Sequence, residues 1–401
     1  MPVLLGVATA GLAAWIVLVV GWGRFWRVRP TLEVPPQSER RESARAAVVA
    51  VIPARNEQDM LDSSLPTVLQ QAYDGPFRVI LVDDRSTDGT ADVARRAAAR
   101  CGRSERLSIV EGSALPAEWS GKVWAMQQGV VAAAETEEPV YLWFTDADIV
   151  HEPWVLGALV DKAGVGRDLV STMATLRVGS SWDRLLIPAF VYFFAKLYPF
   201  RFVNDMRRRR AGAAGGCVLV RRAALETAGG LSEIASAWID DCALGQLIKR
   251  AGGRLWLGFS QGVRSIRAYE SLSSVWNMVA RSAYTQLHHS LLLVVGTIIG
   301  MLFLYAVPVA AFLGGAVTAA TGMAGGAAIA VVGATAWGLM TASFVPILGH
   351  HGVHWAAAPL LPIAGVLYTG MVISSAWRHA RGRGGEWKGR TVGTGSGTGR
   401  R

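Results

Sequence analysis

The distribution of charge along this 401-residue chain is uneven, and this constrains the fold more than any other feature. Residues 1–22 and 291–376 are apolar and almost free of charged side chains, whereas the region between them has the composition of an ordinary globular domain. Both apolar regions contain runs of about 20 residues, the length that an α-helix needs to cross the core of a bilayer. The sequence therefore predicts a globular domain combined with transmembrane α-helices.

The predicted membrane segments are one early run and three late runs, at residues 3–21, 291–312, 327–348 and 356–376. The early run has no basic start and no clear cleavage site, so we interpret it as an uncleaved anchor. Arg24, Arg27 and Arg29 follow it and predict that its carboxyl end is cytoplasmic. We expect a multi-pass protein of the cell (inner) membrane whose globular domain faces the cytoplasm.

The net charge of +10 has a local origin. Residues 377–401 contain seven Lys or Arg and one acid, Glu386, and supply +6 of the total. Basic residues beside apolar runs favour anionic lipid headgroups, and no nucleic-acid recognition motif accompanies them, so we expect no nucleic-acid partner. Three complete late crossings would export this basic tail, against the positive-inside tendency. Either one late run does not cross completely, or the tail is an exception.

Strand-like and helix-like patterns alternate in the middle of the chain. Strands are predicted at 47–52, 78–82, 107–110 and 140–144, and helices at 59–71, 87–100 and 120–134. This alternation is typical of an α/β domain with a mainly parallel sheet and helices on both faces. The predicted organisation is an anchor at 1–22, a linker at 23–46, an α/β domain at 47–285, a transmembrane region at 286–376 and a basic tail at 377–401.

Two aspartates, Asp146 and Asp148, directly follow the fourth predicted strand. Ligands of such sheets bind at the carboxyl ends of the strands. Two carboxylates at such an end can turn toward one divalent cation, and hard oxygen ligands suit Mg²⁺ or Mn²⁺. A metal there would bridge a nucleotide diphosphate, although an isolated Asp-x-Asp is also common in turns.

Polar residues at the other strand ends are candidates for holding a nucleotide. Carboxylates at such an end can accept hydrogen bonds from a base or a ribose hydroxyl, whereas the alternative, helix capping, suits Ser86 or Asp88 better. A lysine in the Ser-Gly-Lys stretch could reach the diphosphate or be solvated instead. The candidate nucleotide-binding residues are Pro53, Arg55, Glu57, Asp83, Asp84, Lys122 and Asp146.

A late acidic pair, Asp240 and Asp241, opens a predicted helix at 242–250. Direct displacement at a sugar needs a base on the face opposite the leaving diphosphate, and two adjacent carboxylates can divide the tasks of positioning and proton removal. The alternative, a helix N-cap, describes one member of the pair better than both.

The order of these motifs resembles the inverting family 2 glycosyltransferases of the GT-A fold. The resemblance runs from about residue 47 to residue 253 through Pro-Ala-Arg-Asn-Glu, Asp-Asp-x-Ser-x-Asp-Gly-Thr, Gly-Lys, Asp-Ala-Asp and Asp-Asp. It implies that Glu57 and Asp84 hold the nucleoside, that Asp146 and Asp148 hold the metal and diphosphate, and that Asp241 is the base. The apolar segments and a Trp-Lys-Gly-Arg stretch at 387–390 are similar, more narrowly, to hopene-associated glycosyltransferases, which are related to ceramide glucosyltransferases.

One departure concerns the acceptor. Processive members carry Gln-x-x-Arg-Trp after the base, whereas the corresponding stretch here contains Arg281, Tyr284 and Gln286 and no Arg-Trp pair. This favours the transfer of a single sugar from a nucleotide-diphosphate sugar to a lipid acceptor, and we expect the donor to be a UDP-sugar. The resemblance implies a role in hopanoid metabolism. The alternatives are transfer to a polyprenyl phosphate and a non-catalytic nucleotide-binding scaffold. The candidate acceptor residues are Asp240, Gly216, Arg281, Tyr284 and Gln286.

An apolar, aromatic run at 185–200 and a basic block at 207–210 are also notable. The run is too short and too broken by proline for a confident span, so an interfacial helix and a core helix both remain open. The basic block precedes a Gly-rich stretch and predicts either a lid, a headgroup contact or a solvated loop.

Overall fold

The computed structural model describes residues 1–34, 45–136 and 138–381, and the backbone of 386–387 and 390–391. Much of the predicted linker (35–44) and most of the predicted basic tail, including the Trp-Lys-Gly-Arg side chains, lie outside the described residues. The chain forms two compact units. The helical unit consists of Met1–Val28, Val178–Arg201 and Ala268–Gly384, and the globular unit consists of Arg29–Arg177, Phe202–Arg267 and Gly385–Arg401.

The globular unit is built on an eight-stranded sheet with the strand order β3-β2-β1-β4-β7-β6-β8-β5. All seven residues of β1 are buried, as its continuous apolar run predicts for a strand covered on both faces. The strands are β1 Val48–Ala54, β2 Phe77–Asp83, β3 Leu107–Glu111, β4 Tyr141–Thr145, β5 Ile149–His151, β6 Leu169–Thr175, β7 Cys217–Arg221 and β8 Leu255–Ser265.

The sheet is mixed. The first four strands, β3, β2, β1 and β4, are parallel, as the alternating pattern predicts. Beyond β4 the sheet is no longer parallel throughout, which the sequence did not predict. Strand β7 runs antiparallel to both β4 and β6, and β5 runs antiparallel to β8. The carboxyl ends of β1, β2 and β4 therefore meet at one edge, where the acidic motifs were predicted to converge.

Both units contain α-helices. They are α1 Pro2–Gly21, α2 Gln58–Leu69, α3 Thr90–Arg100, α4 Gly121–Thr136, α5 Val155–Gly164, α6 Ser181–Leu197, α7 Phe200–Val203, α8 Arg222–Thr227, α9 Asp240–Arg250, α10 Leu272–Ala280, α11 Ala283–Gln286, α12 Leu291–Met301, α13 Val307–Ala320, α14 Gly326–His350 and α15 Leu361–Ala380. A π-helical turn at Leu302–Ala306 joins α12 to α13.

The helical unit packs through aromatic rings and small residues. Trp15 of α1 lies edge-on to Tyr305, with ring centroids 5.6 Å apart, and its indole N–H donates to the Leu304 carbonyl at 2.7 Å. Gly315 of α13 and Gly333 of α14 lie against each other's helix backbone, where a Cβ atom would clash. This close approach is what the frequent glycines of the late runs predict for helices in lipid.

Among the residues that the structure describes, five helices are long and apolar enough to cross a membrane. They are Pro2–Gly21, Ser181–Val203, Leu291–Ala320, Gly326–His350 and Trp355–Ala380. Residues 181–201 of the second, which include the aromatic run at 185–200, group with the helical unit, whereas the sequence prediction included them in the α/β domain at 47–285. Two-thirds of its most apolar stretch is buried within the protein, much more than in the other four.

Candidate active site

The first cluster of predicted site residues forms at the carboxyl end of β4. The Lys122 ammonium, at the start of α4, lies 2.8 Å from an Asp146 carboxylate oxygen and 3.1 Å from an Asp240 carboxylate oxygen. The lysine therefore joins the Asp-x-Asp motif to the late acidic pair, which the sequence separates by more than ninety residues. The alternative of a freely solvated lysine is wrong, because Lys122 has both carboxylates as partners.

The charges of this cluster depend on one another. Burial lowers the pKa of Lys122, but the attraction of Asp146 and Asp240 outweighs it, so the pKa is raised and the ammonium stays protonated. Burial raises the pKa of Asp146, and Lys122 opposes that rise while Asp148 and Asp240 add to it. The site thus holds more negative than positive charge, which suits a divalent cation.

Asp241 lies in the first turn of α9, held by two backbone amides. Gly215 N–H donates to one carboxylate oxygen and Cys242 N–H to the other, both at 2.7 Å. A Cβ atom at position 215 would lie 3.2 Å from the first of these oxygens, so glycine gives the backbone room to approach the carboxylate. Burial and the neighbouring Asp240 together raise the pKa of Asp241 to about 7. An oriented carboxylate with a pKa near neutrality is suited to accept a proton.

A small pocket connects these groups. Its walls carry an ammonium, three carboxylates and several apolar side chains. The lining residues are Pro53, Lys122, Met126, Phe144, Thr145, Asp146, Gly215, Val218, Asp240, Asp241 and Leu244. Four of the predicted nucleotide, metal and catalytic residues therefore share one cavity with the predicted acceptor residue Asp240.

Arg267, two residues after β8, also lies in the candidate site, although the sequence did not predict it. Its Nε donates to an Asp148 carboxylate oxygen at 2.9 Å, and one of its terminal nitrogens donates to both Glu57 carboxylate oxygens at 3.0 and 2.9 Å. Ser265 Oγ donates to the same Asp148 oxygen at 3.0 Å. A lone arginine after a strand carries no motif, so no signal in the sequence marked it.

The remaining predicted nucleotide residues order the loops after β1 and β2. The Arg55 guanidinium donates to the Asp84 and Arg85 carbonyls at 2.6 and 2.9 Å. Asp83 accepts from Ser86 N–H at 3.0 Å, and the Asp84 side chain is fully buried. The Arg55 contacts tie the loop after β1 to the loop after β2, and the predicted contacts with a nucleotide stay predictions.

The candidate acceptor residues separate into two groups. Gly216 and Asp240 lie in the globular unit, where the Gly216 carbonyl accepts from Thr145 Oγ at 2.9 Å. Arg281, Tyr284 and Gln286 lie in the helical unit. There Tyr284 donates to the His289 carbonyl at 2.6 Å and Gln286 donates to the Tyr198 hydroxyl at 2.7 Å. The last two side chains hold the segment around α11.

The donor set at the carboxyl end of β4 fits a hard divalent cation. Among the described residues no group of three or more His, Cys, Asp or Glu side chains is arranged to enclose a metal. Mg²⁺ usually takes one or two carboxylates and completes its octahedron with water and substrate phosphates. Asp146 and Asp148 would supply the two carboxylates of such a site.

Comparison with known proteins supports a transferase domain. Residues 49–229 match the family model for glycosyl transferase family 2. An undecaprenyl-phosphate 4-deoxy-4-formamido-L-arabinose transferase of Pseudomonas aeruginosa is 28% identical over 181 residues, which are 43% of this chain and 45% of that protein. A 4,4'-diaponeurosporenoate glycosyltransferase of Staphylococcus aureus is 35% identical over 103 residues, 26% of this chain and 24% of that protein. The chain thus spans less than half the length of these curated relatives.

The fold has a counterpart among solved structures. The mannosyltransferase PcManGT of Pyrobaculum calidifontis, solved in complex with GDP-Man and Mn²⁺, aligns over 94% of this chain and 99% of its own, with a TM-score of 0.54 and 18% identity. Residues 49–229 are therefore similar to glycosyltransferase family 2 domains, and the globular unit has the GT-A fold, which confirms the fold predicted from the motifs. The narrower resemblance to hopene-associated enzymes stays a prediction.

Proposed function

We propose that this protein is a membrane-bound inverting glycosyltransferase that moves one sugar from a UDP-sugar to a lipid acceptor. The observation that carries the proposal is the single cavity in which Lys122, Asp146 and the Asp240–Asp241 pair meet. The five apolar helices support a lipid acceptor, because a water-soluble donor and a lipid can meet only at a membrane surface. The predicted orientation places this chemistry on the cytoplasmic side.

The reaction is a direct displacement at the anomeric carbon. Asp241 accepts the proton of the acceptor hydroxyl as its oxygen attacks, and the bond between the anomeric carbon and the diphosphate breaks on the opposite face. The two backbone amides that hold Asp241 fix the direction of its free lone pairs. A single displacement inverts the anomeric centre.

The developing charge on the leaving diphosphate needs stabilisation. Asp146 and Asp148 would hold Mg²⁺ or Mn²⁺, and the bound ion would neutralise that charge. Lys122, protonated and already paired with Asp146, would lie beside the diphosphate oxygens and add a second positive charge. Asp240 holds Lys122 from the other side and so positions it.

Two classes of lipid are candidates for the acceptor. The resemblance to hopene-associated enzymes supports a lipid hydroxyl in hopanoid metabolism, and the absent Arg-Trp pair supports a single transfer. The relatives that are named as undecaprenyl-phosphate transferases support the second candidate, a polyprenyl-phosphate acceptor. A non-catalytic scaffold is disfavoured, since a scaffold has no need of an oriented carboxylate with a pKa near 7.

Radiolabelled transfer tests the proposal. The purified full chain, in detergent with Mn²⁺, is incubated with UDP-[¹⁴C]glucose and other labelled UDP-sugars and either a total bacterial lipid extract or undecaprenyl phosphate. We expect label in the organic phase, and the Asp241→Asn variant as the matched control should not produce it. Mild acid separates the two acceptors, because a sugar phosphodiester of a polyprenol is hydrolysed while an alkyl glycoside survives. No labelled lipid with any donor would contradict the proposal.

A further inference from the structure

Both acids of the Asp-x-Asp motif already have a cation of the protein itself beside them. Asp146 is paired with Lys122, and Asp148 is paired with Arg267. Lys122 lies next to the predicted base, but Arg267 has no place in the transfer chemistry described above. Its position on the proposed metal ligand therefore requires a separate explanation.

The geometry sets Arg267 in competition with a metal at Asp148. Arg267 Nε and Ser265 Oγ both donate to one Asp148 oxygen, at 2.9 and 3.0 Å, so that oxygen has little capacity left. Mg²⁺ binds carboxylate oxygens at about 2.0–2.1 Å. A cation so close to Asp148 would lie within a few ångströms of the guanidinium, and the two positive charges would repel each other in a half-buried site.

The partners of Arg267 are more buried than Arg267 itself. The Asp148 and Glu57 side chains are 15% and 11% exposed, whereas the Arg267 side chain is 29% exposed. The Arg267 side chain is therefore the most accessible of the three to a ligand from solvent. The fork of the guanidinium matches the geometry of a phosphate as well as that of a carboxylate.

We propose that Arg267 is the resident counter-cation of the donor site: it occupies Asp148 while the site is empty and moves to the donor's diphosphate when that arrives. The inference rests on the proposed function only in requiring a nucleoside diphosphate donor. Its consequence is that metal and nucleotide bind synergistically. The nucleotide gives Arg267 a new partner and so frees Asp148 for the metal, and by reciprocity the metal raises the affinity for the nucleotide.

A purely structural role for Arg267 makes the opposite prediction. If the arginine only ties the end of β8 to the loop after β1, its loss disorders Glu57 and Asp148. Metal binding then weakens or does not change. If it restrains the metal, its loss strengthens metal binding in the absence of nucleotide. The direction of the change therefore distinguishes the two roles.

The experiment measures Mn²⁺ binding to the detergent-solubilised, chelator-treated full chain by the electron paramagnetic resonance signal of free Mn²⁺. Without nucleotide, we expect Arg267→Gln to bind Mn²⁺ about tenfold more tightly than the wild type, a typical size for coupling between sites. Arg267→Lys keeps the charge and should remain close to the wild type. Arg264→Gln is the matched control, because Arg264 lies on β8 and pairs with the exposed Glu152 outside the site.

A second measurement needs no variant. Mn²⁺ affinity of the wild type should rise about tenfold in saturating UDP or GDP, tested separately and corrected for Mn²⁺ held by the nucleotide alone. Unchanged or weaker Mn²⁺ binding by folded Arg267→Gln overturns the proposal. So does a wild-type Mn²⁺ affinity that neither nucleotide raises. Neither result depends on sugar transfer, so the proposed function fails or stands separately in the radiolabel assay.

Discussion

Asp241 is the residue on which the chemistry depends most directly. Its carboxylate is partly buried at the first turn of α9, with one backbone amide on each oxygen. Asn at this position keeps the shape and removes the basicity, so we expect Asp241→Asn to lower the transfer rate about 10²–10⁴-fold. Nucleotide affinity should not change, because Glu57, Asp84 and the metal pair are untouched. Transfer rate and UDP affinity are measured together.

Two other variants serve as comparisons for Asp241→Asn. Asp240→Asn should be milder than Asp241→Asn, because Asp240 acts through its contact with Lys122. Asp84→Asn should weaken UDP binding, as expected for the predicted nucleoside contact. If Asp241→Asn transfers sugar at the wild-type rate, or loses UDP binding as Asp84→Asn should, Asp241 is not the base.

The pH dependence follows from the same carboxylate. Burial and Asp240 raise the pKa of Asp241 to about 7, and a base is active only when it is unprotonated. The specificity constant kcat/KM, which follows the pKa of the free enzyme, should therefore rise with pH, from about a tenth of its maximum at pH 6 to a plateau above pH 8. Asp240→Asn removes the neighbouring negative charge and should move the midpoint to lower pH. A rate that is flat or falls between pH 6 and 8 would contradict this assignment.

The metal prediction concerns Asp146 and Asp148. EDTA should abolish transfer, and Mn²⁺ or Mg²⁺ should restore it, because two carboxylates at a strand end suit a hard cation. Asp148→Asn should weaken binding of the nucleotide sugar in the presence of metal. Activity and elemental analysis are measured on the same chelator-treated sample. Full turnover without bound metal would remove the metal role.

At the scale of elements, the sequence predicted the first half of the sheet better than the second. The strands predicted at 47–52 and 140–144 are found as β1 and β4, because strands buried on both faces appear as continuous apolar runs. The antiparallel half was not predicted. Its strands include the three-residue β5, and β6 contains Ser171, Thr172 and Thr175, so neither shows a clear apolar run.

The sequence likewise indicated some residues of the candidate site and not others. Asp146, Asp148 and the Asp240–Asp241 pair were predictable because each directly follows a strand or opens a helix. Arg267 was not, because its partner Glu57 is 210 positions away and only the folded sheet brings them together. Pairing between distant residues depends on topology, which local patterns do not contain.

The Gly-rich segment before β7 provides a prediction for an element. A Cβ atom at position 215 would lie 3.2 Å from the Asp241 oxygen, so the carboxylate would have to shift slightly, and 3.4 Å from Lys122 Nζ, which is ordinary contact. We expect Gly215→Ala to lower kcat about tenfold, since small misplacements of catalytic groups are costly. Gly157→Ala in α5 is the matched control, because nothing lies within 4 Å of its added Cβ.

Thermal unfolding separates the two glycine variants from general damage. Gly157→Ala should keep kcat and leave the melting temperature unchanged or raise it slightly, because alanine favours a helix interior. Gly215→Ala should also keep a melting temperature near the wild type while kcat falls. A wild-type kcat in Gly215→Ala would show that the segment does not orient Asp241.

At the scale of the whole molecule, chain topology restricts which helices cross the membrane. The strands before and after α6, β6 and β7, are hydrogen-bonded to each other in one sheet. A single complete crossing by α6 would put them on opposite sides of the bilayer. The Ser181–Val203 segment is therefore not a complete span, although its length and composition permit one. This agrees with its larger buried share, and four candidate spans remain.

The number of these four spans that cross completely determines on which side of the membrane the basic tail lies. If α1 ends in the cytoplasm, three complete later crossings leave residue 401 outside, whereas a tail with a net charge of +6 favours the cytoplasm. We expect the last helix, α15, which follows a 3₁₀ turn at Trp355–Leu360 and carries proline at its start, not to cross completely. Phosphatase and fluorescent-protein fusions after Arg45, Met323, Gly352 and Arg401 test this. Only the Met323 fusion should have phosphatase activity. Activity after Arg45 would reverse the orientation of the catalytic domain, and activity after Arg401 would show that α15 crosses and exports the tail.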